Sequence, residues 1–195
     1  MVLMGKIILF VGTPGAGKST ILEGVEDCSK LNIGTEMFEL ARRQYKGKIA
    51  TRDDMRRKLS PLQIRQLRNE TFEKISKMAS KANVVIDTHA SIRSGNTFVP
   101  GFTLSEFDKL KGKVCAIIYV DASPQEILKR RQSDRSRSRD EESELDVQEQ
   151  KQINLSYTCA YSTYLGVPLY LVKNQDGKLK ETLKQTSGIV REHFK

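Results

Sequence analysis

The chain has 195 residues, of which 38% are hydrophobic and 29% charged, the balance of a globular protein large enough for one layered core. Its longest apolar run, Lys6-Ile7-Ile8-Leu9-Phe10-Val11, is too short to cross a bilayer, and Met1–Gly5 lacks the regions of a signal peptide, so a cytoplasmic protein without a membrane partner is expected. The net charge of +9, from 33 Lys+Arg against 24 Asp+Glu, narrows the partner to something phosphorylated; no paired-Cys finger, aromatic strand motif or basic zipper accompanies it, which disfavours nucleic acid.

In chain order, the first apolar run reads as a buried strand and opens directly into Gly12-Thr13-Pro14-Gly15-Ala16-Gly17-Lys18-Ser19. This fits G-x-x-x-x-G-K-[ST] between a strand and a helix that begins near Lys18 and continues through Thr20-Ile21-Leu22, the context the motif requires. Gly15 and Gly17 allow the backbone dihedrals that turn N–H groups toward phosphates, and the helix start adds its positive dipole end. Lys18 reaches the outer phosphates of ATP, and the Ser19 hydroxyl is placed for Mg²⁺. Residues 12–20 are therefore the candidate ATP site.

Leu31-Asn32-Ile33 is a short strand candidate. Ser60-Pro61-Leu62-Gln63 supplies an N-cap, a first-turn proline and a capping-box glutamine, and Ile64, Leu67, Ile75, Met78 and Ala82 continue at helical spacing, which predicts one long amphipathic helix. Asn83-Val84-Val85-Ile86-Asp87 and Val114–Asp121 are apolar runs ending in aspartate, and Val167–Val172 is a further one. Continuous apolarity suits strands buried on both faces, so the alternation predicts a three-layer α/β P-loop fold with a mostly parallel five-stranded sheet over residues 1–195. A carboxylate ending a buried strand beside a P-loop is a second handle on Mg²⁺, which makes Asp87 a metal candidate with Ser19. A helix-capping role is the alternative.

Ser123-Pro124-Gln125-Glu126 repeats the helix-start chemistry and leads into Arg130-Arg131-Gln132-Ser133-Asp134-Arg135-Ser136-Arg137-Ser138-Arg139-Asp140. Five arginines without an apolar residue cannot form core. They suit a segment that closes over transferring phosphate and excludes water; a solvated charged face or an RNA-binding arginine-serine tract is the alternative. Cys28, Cys115 and Cys159 match neither a disulfide framework nor a zinc motif and read as buried free thiols. The D-x-x-G switch of GTPases is absent after the apolar strands, and Lys173-Asn174-Gln175-Asp176 inverts the first two residues of the guanine-reading N-K-x-D.

With these motifs in place the chain resembles the archaeal-type adenylate kinase family over nearly its whole length. The resemblance is carried by the P-loop, Asn32–Ala41, Arg52-Asp53-Asp54-Met55-Arg56, the Ile86-Asp87-Thr88-His89-Ala90-Ser91-Ile92-Arg93 block, Val99-Pro100-Gly101-Phe102, and the lid pattern R-x-x-D-x-x-R-x-R-D at 131–140. It implies reversible transfer of the γ-phosphoryl of Mg·ATP to AMP, in a cytoplasmic and often trimeric enzyme. It further implies an AMP-binding helical region over 35–82 and a lid over 130–142. Thr35 would meet AMP, with Arg52 and Arg56 on the same side; Thr88, His89 and Arg93 would sit near its phosphate; and Arg137 and Arg139 would act catalytically with Lys18. Three features depart from the family pattern: Asn154 is followed by Leu155 rather than arginine, 44–50 is slightly long, and Ser94-Gly95-Asn96-Thr97 replaces T-P-x-G. A phosphate contact would then come from Arg130 or Arg131. A kinase of another nucleoside monophosphate or small acceptor, and a nucleotide-gated RNA-binding or assembly protein, are the rival readings.

Overall fold

The computed structural model describes residues 5–26, 28–133 and 142–195. Strand β1 (Ile7–Gly12) is wholly buried and forms the centre of a five-stranded sheet. It pairs with β3 (Val84–Asp87) on one side and β6 (Val114–Asp121) on the other, and β2 (Ser29–Asn32) and β7 (Leu169–Lys173) complete the edges in the order β2-β3-β1-β6-β7. Every pairing is parallel. Alternate residues of β1 feed opposite cores: Ile7, Leu9 and Val11 one layer, Ile8 and Phe10 the other. That is why the sequence of β1 is continuously apolar rather than alternating.

One layer holds α1 (Lys18–Glu23) and α8 (Leu179–Phe194). The other holds α2 (Ile33–Gln44), α3 (Arg52–Lys58), α4 (Pro61–Ala79), α5 (Leu104–Leu110) and α7 (Glu144–Leu165), with α6 (Pro124–Ser133) packed against α7 through Ile127 and Val147. Both proline-marked helix starts form. Ser60 and Gln63 exchange side-chain and backbone bonds as a capping box, and Ser123 pairs with Glu126 in the same way. Among the described residues no helix is long and apolar enough to cross a membrane.

Three expectations need correction. The second strand lies one to two residues earlier than Leu31–Ile33: Ile33 is the first residue of α2, because the Asn32 side chain accepts from Thr35 N–H at 3.0 Å and starts the helix there. A hairpin of β4 (Ser91–Ser94) and β5 (Thr97–Pro100) was not anticipated; its two-residue turn carries Gly95 at φ 57°. The cysteines are not uniformly buried: Cys159 is exposed on α7, and Cys28 and Cys115 are intermediate. An exposed helical position tolerates a small thiol without requiring core packing.

Candidate active site

A parallel sheet presents its loops at the carboxyl ends of its strands, and β1 and β3 are neighbours with Phe10 opposite Asp87. The P-loop after β1 and the Asp87–Ser91 segment after β3 therefore leave the sheet side by side. The backbone N–H of Thr88 bonds Phe10 O at 3.1 Å, which ties the second segment to the strand beneath the first.

The loop is held in shape from outside. Gly15 and Gly17 have φ of 88° and 87°, conformations open chiefly to glycine, and a Cβ at Gly17 would lie 2.2 Å from Asn174 Nδ2. That amide donates to Ala16 O at 2.9 Å. Arg131 donates twice to Pro14 O, from Nε at 3.0 Å and from Nη2 at 2.7 Å, and also bonds Glu142 and Gln150, each at 2.6 Å. Arg130 reaches Ala16 O at 3.3 Å, Asn174 O at 3.0 Å and Asp176 at 2.5 Å. These contacts occupy outward-facing carbonyls, and a loop whose carbonyls face out is free to turn amides in. Arg130 and Arg131 thus brace the loop. Lys18, 7% exposed, lies back along the loop with Nζ 3.1 Å from Gly12 O. Ser19 and Thr20 are exposed on the first turn of α1.

A second chain of polar contacts begins at Asp87. Asn32 Nδ2 donates to Asp87 Oδ2 at 2.9 Å, the Thr35 hydroxyl and N–H donate to Asn32 Oδ1 at 3.1 and 3.0 Å, and Arg52 donates to Thr35 Oγ1 at 2.6 Å. Thr35, Arg52 and Asp87 are therefore joined as one cluster, with Asn32 as the link. The other carboxylate oxygen, Asp87 Oδ1, is buried and finds no hydrogen-bond partner among the described residues. Such an oxygen is costly to bury unless a donor, a water or a cation meets it. Mg²⁺ takes only one or two protein oxygens and completes its shell with water and phosphate, so this oxygen fits a magnesium site.

Thr88 and His89 are half-buried in the segment that follows. Arg93 lies on β4, where its guanidinium bonds Asp146 at 3.3 Å and Gly95 O at 3.3 Å and sits over the Phe98 ring. These contacts lie with the hairpin and α7. Asp146 is held below the usual carboxylate range, first by the Ser143 hydroxyl and backbone and then by Arg93. Arg56 falls within α3. Arg137 and Arg139 lie outside the described residues, as does most of the 130–142 lid.

The arrangement brings together the P-loop, a carboxylate with an open oxygen, and the polar contacts of Asn32, Thr35 and Arg52 beside it. Residues 11–148 match the family described as an AAA domain. Shikimate kinase from Acinetobacter baumannii shares the fold with a TM-score of 0.60 and 16% identity, covering 96% of this chain and 94% of its own. Fold and loop define an α/β P-loop protein. Adenylate kinase of Methanocaldococcus jannaschii is 30% identical over 97% of this chain and 100% of its own length, and that of Thermoplasma acidophilum is 35% identical over 87% and 90%. The chain belongs to the adenylate kinase family.

Proposed function

We propose that the chain transfers the γ-phosphoryl group of Mg·ATP to AMP, reversibly, giving two ADP. The observation that carries this reading is the full-length similarity to archaeal adenylate kinases in a chain whose P-loop and Asp87 stand on adjacent strands.

On this reading residues 12–20 grip the donor phosphates through backbone amides, and Lys18 swings from Gly12 O to the transferring group. Ser19 and Asp87 would hold Mg²⁺, which would supply neutralisation of the phosphate charge. Thr35, Arg52 and Arg56 face AMP, and Thr88 and His89 meet its phosphate. Arg93 joins them only if it leaves Asp146. Arg137 and Arg139 close on the group in flight, lowering the charge on its oxygens and excluding water. No general base is required, because the acceptor is already an anionic phosphate. The cytoplasm is the compartment this reading carries, and a homotrimer is its assembly, checked by sedimentation velocity.

The test is ADP formation from Mg·ATP with AMP, CMP, UMP, GMP or shikimate as acceptor. AMP is expected to give the highest kcat/KM, and Lys18→Ala is expected to remove most transfer in a folded protein. Preference for shikimate or for a pyrimidine monophosphate would replace the acceptor, and near-normal turnover of Lys18→Ala would remove the P-loop from the chemistry.

A further inference from the structure

A buried file of polar groups runs from the P-loop to the segment after β3, and the position of each hydrogen in it follows from chemistry. Ser91 approaches Asn154 Oδ1 with both its backbone N–H, at 3.0 Å, and its hydroxyl, at 2.9 Å. A backbone N–H can only donate, so Asn154 must turn its oxygen to Ser91 and its NH₂ the other way. There Nδ2 lies 3.4 Å from Thr13 Oγ1. Thr13 Oγ1 is in turn 3.2 Å from Tyr119 Oη, and Tyr119 Oη is 3.2 Å from the Lys151 carbonyl. A carbonyl can only accept, so the Tyr119 proton points at Lys151. Thr13 must then donate to Tyr119 while it accepts from Asn154. The file therefore has one direction, from Ser91 through Asn154, Thr13 and Tyr119 to the carbonyl of Lys151.

The file is dry. Asn154 and Thr13 are 0% exposed, Ser91 1% and Tyr119 2%. A buried amide is tolerated only when its polar atoms are met, and an apolar residue on α7 would fill this space without that demand. What Asn154 does that an apolar residue could not is bond two segments at once, neither of which belongs to its own helix. One is the loop that grips the donor phosphates. The other begins with Thr88 and His89. Tyr161, two turns further along α7, reinforces the second grip by donating to Ala90 O at 2.7 Å and accepting from Gly101 N–H at 3.1 Å.

We propose that Asn154 is a positioning residue that sets the spacing between the donor loop and the acceptor segment, so that the two phosphates meet in line. This rests on the adenylate kinase reading given above. In-line transfer is unforgiving of placement: a displacement of about 1 Å can cost roughly a hundredfold in rate. A side chain that touches neither nucleotide can therefore govern turnover.

The test uses Thr13→Val and Ser91→Ala, each of which opens the file on one side of Asn154, together with the double variant and Asn154→Leu. Steady-state kinetics are run with each nucleotide varied, well below the melting temperature. Each single variant is expected to lower kcat about tenfold while both KM values move less than about threefold, because the groups that grip the phosphates stay in place. The double variant is expected to lose little more than the worse single one, since either cut opens the same file. Losses that multiply would overturn the proposal. So would single variants within about twofold of wild-type kcat, even with a lowered melting temperature, because that pattern marks a purely structural role. Asn154→Leu should match the double variant if it folds, and the mild pair decides the matter if it does not. A wild-type protein that binds both nucleotides but transfers nothing defeats the functional reading alone. Positioning is then read from how far a non-hydrolysable ATP analogue tightens AMP binding: loss of that linkage in the double variant supports it, and an unchanged linkage overturns it. Binding of neither nucleotide overturns both.

Discussion

Tyr119 is a case where burial changes a residue's chemistry without any change in its immediate sequence. Burial pushes its hydroxyl up to about 12 from 10.0, opposed by the hydrogen bond to Thr13 and aided by the charge of Asp121. The folded state thus holds the proton more tightly than the unfolded chain does. Its contribution is complete below pH 10 and is lost as pH rises through the folded value, a difference worth about 2 to 3 kcal/mol across the window. Urea unfolding between pH 9.5 and 11 should therefore show stability falling with pH, and Tyr119→Phe should flatten that slope by up to about 1.4 kcal/mol per pH unit. Equal slopes in the two proteins would mean the hydroxyl is not buried as described. The P-loop residues are legible at this scale because phosphate binding needs them contiguous, so spacing alone reveals Gly12 to Ser19. Asn32, Arg131, Asn154 and Asn174 are not legible, because each acts on a loop or carboxylate far from it in the chain. Asn174 is the clearest instance: read for a guanine motif it has no meaning, yet it closes the space beside Gly17.

Elements in this fold are joined by a few charged groups that periodicity cannot show. Arg68 of α4 donates to both carboxylate oxygens of Glu106 on α5, at 2.6 and 2.8 Å, and to Gly101 O at 2.8 Å. Gly101 has no room for a Cβ, which would lie 1.9 Å from His89 O, so its placement is tied to the segment after β3. The Glu106 side chain is only 4% exposed, and removing its partner strands a buried charge. Arg68→Ala is expected to lower the free energy of unfolding by about 3 to 5 kcal/mol, and Arg68→Lys to recover only part of that, because an ammonium cannot form the paired contact. A loss below about 1 kcal/mol in denaturant unfolding would show that the pair is screened by water. The long helix α4 is readable beforehand because Ser60 to Gln63 states its start. The hairpin is not: each strand has four residues, and its apolar members Ile92, Phe98 and Val99 are too few to set a period. The sheet strands are readable because burial on both faces demands unbroken apolar runs.

Over the whole molecule the net charge of +9 faces substrates that are polyanions. The excess is not spread evenly: Arg42, Arg43, Lys46, Lys48, Arg52 and Arg57 are exposed along the end of α2 and through α3, and Arg52 touches Thr35 of the acceptor cluster. Asp54, beside them, is held at about 2 by Lys58 and the backbone N–H groups of Ala50 and Thr51, so its charge remains constant over the working pH range. A field of this kind raises the encounter rate of an anion without altering the chemical step, and it acts only within the screening length. That length shrinks from roughly 20 Å at about 20 mM salt to about 6 Å at about 300 mM. The kcat/KM for AMP is therefore expected to fall about fivefold or more over that range, while kcat at saturation changes less than about twofold. Replacing Arg42, Arg43 and Lys46 by glutamine should flatten the salt dependence, since these side chains contribute charge without belonging to the Asp87–Arg52 cluster. A salt response confined to kcat would instead locate the charge effect in the transfer step rather than in the encounter.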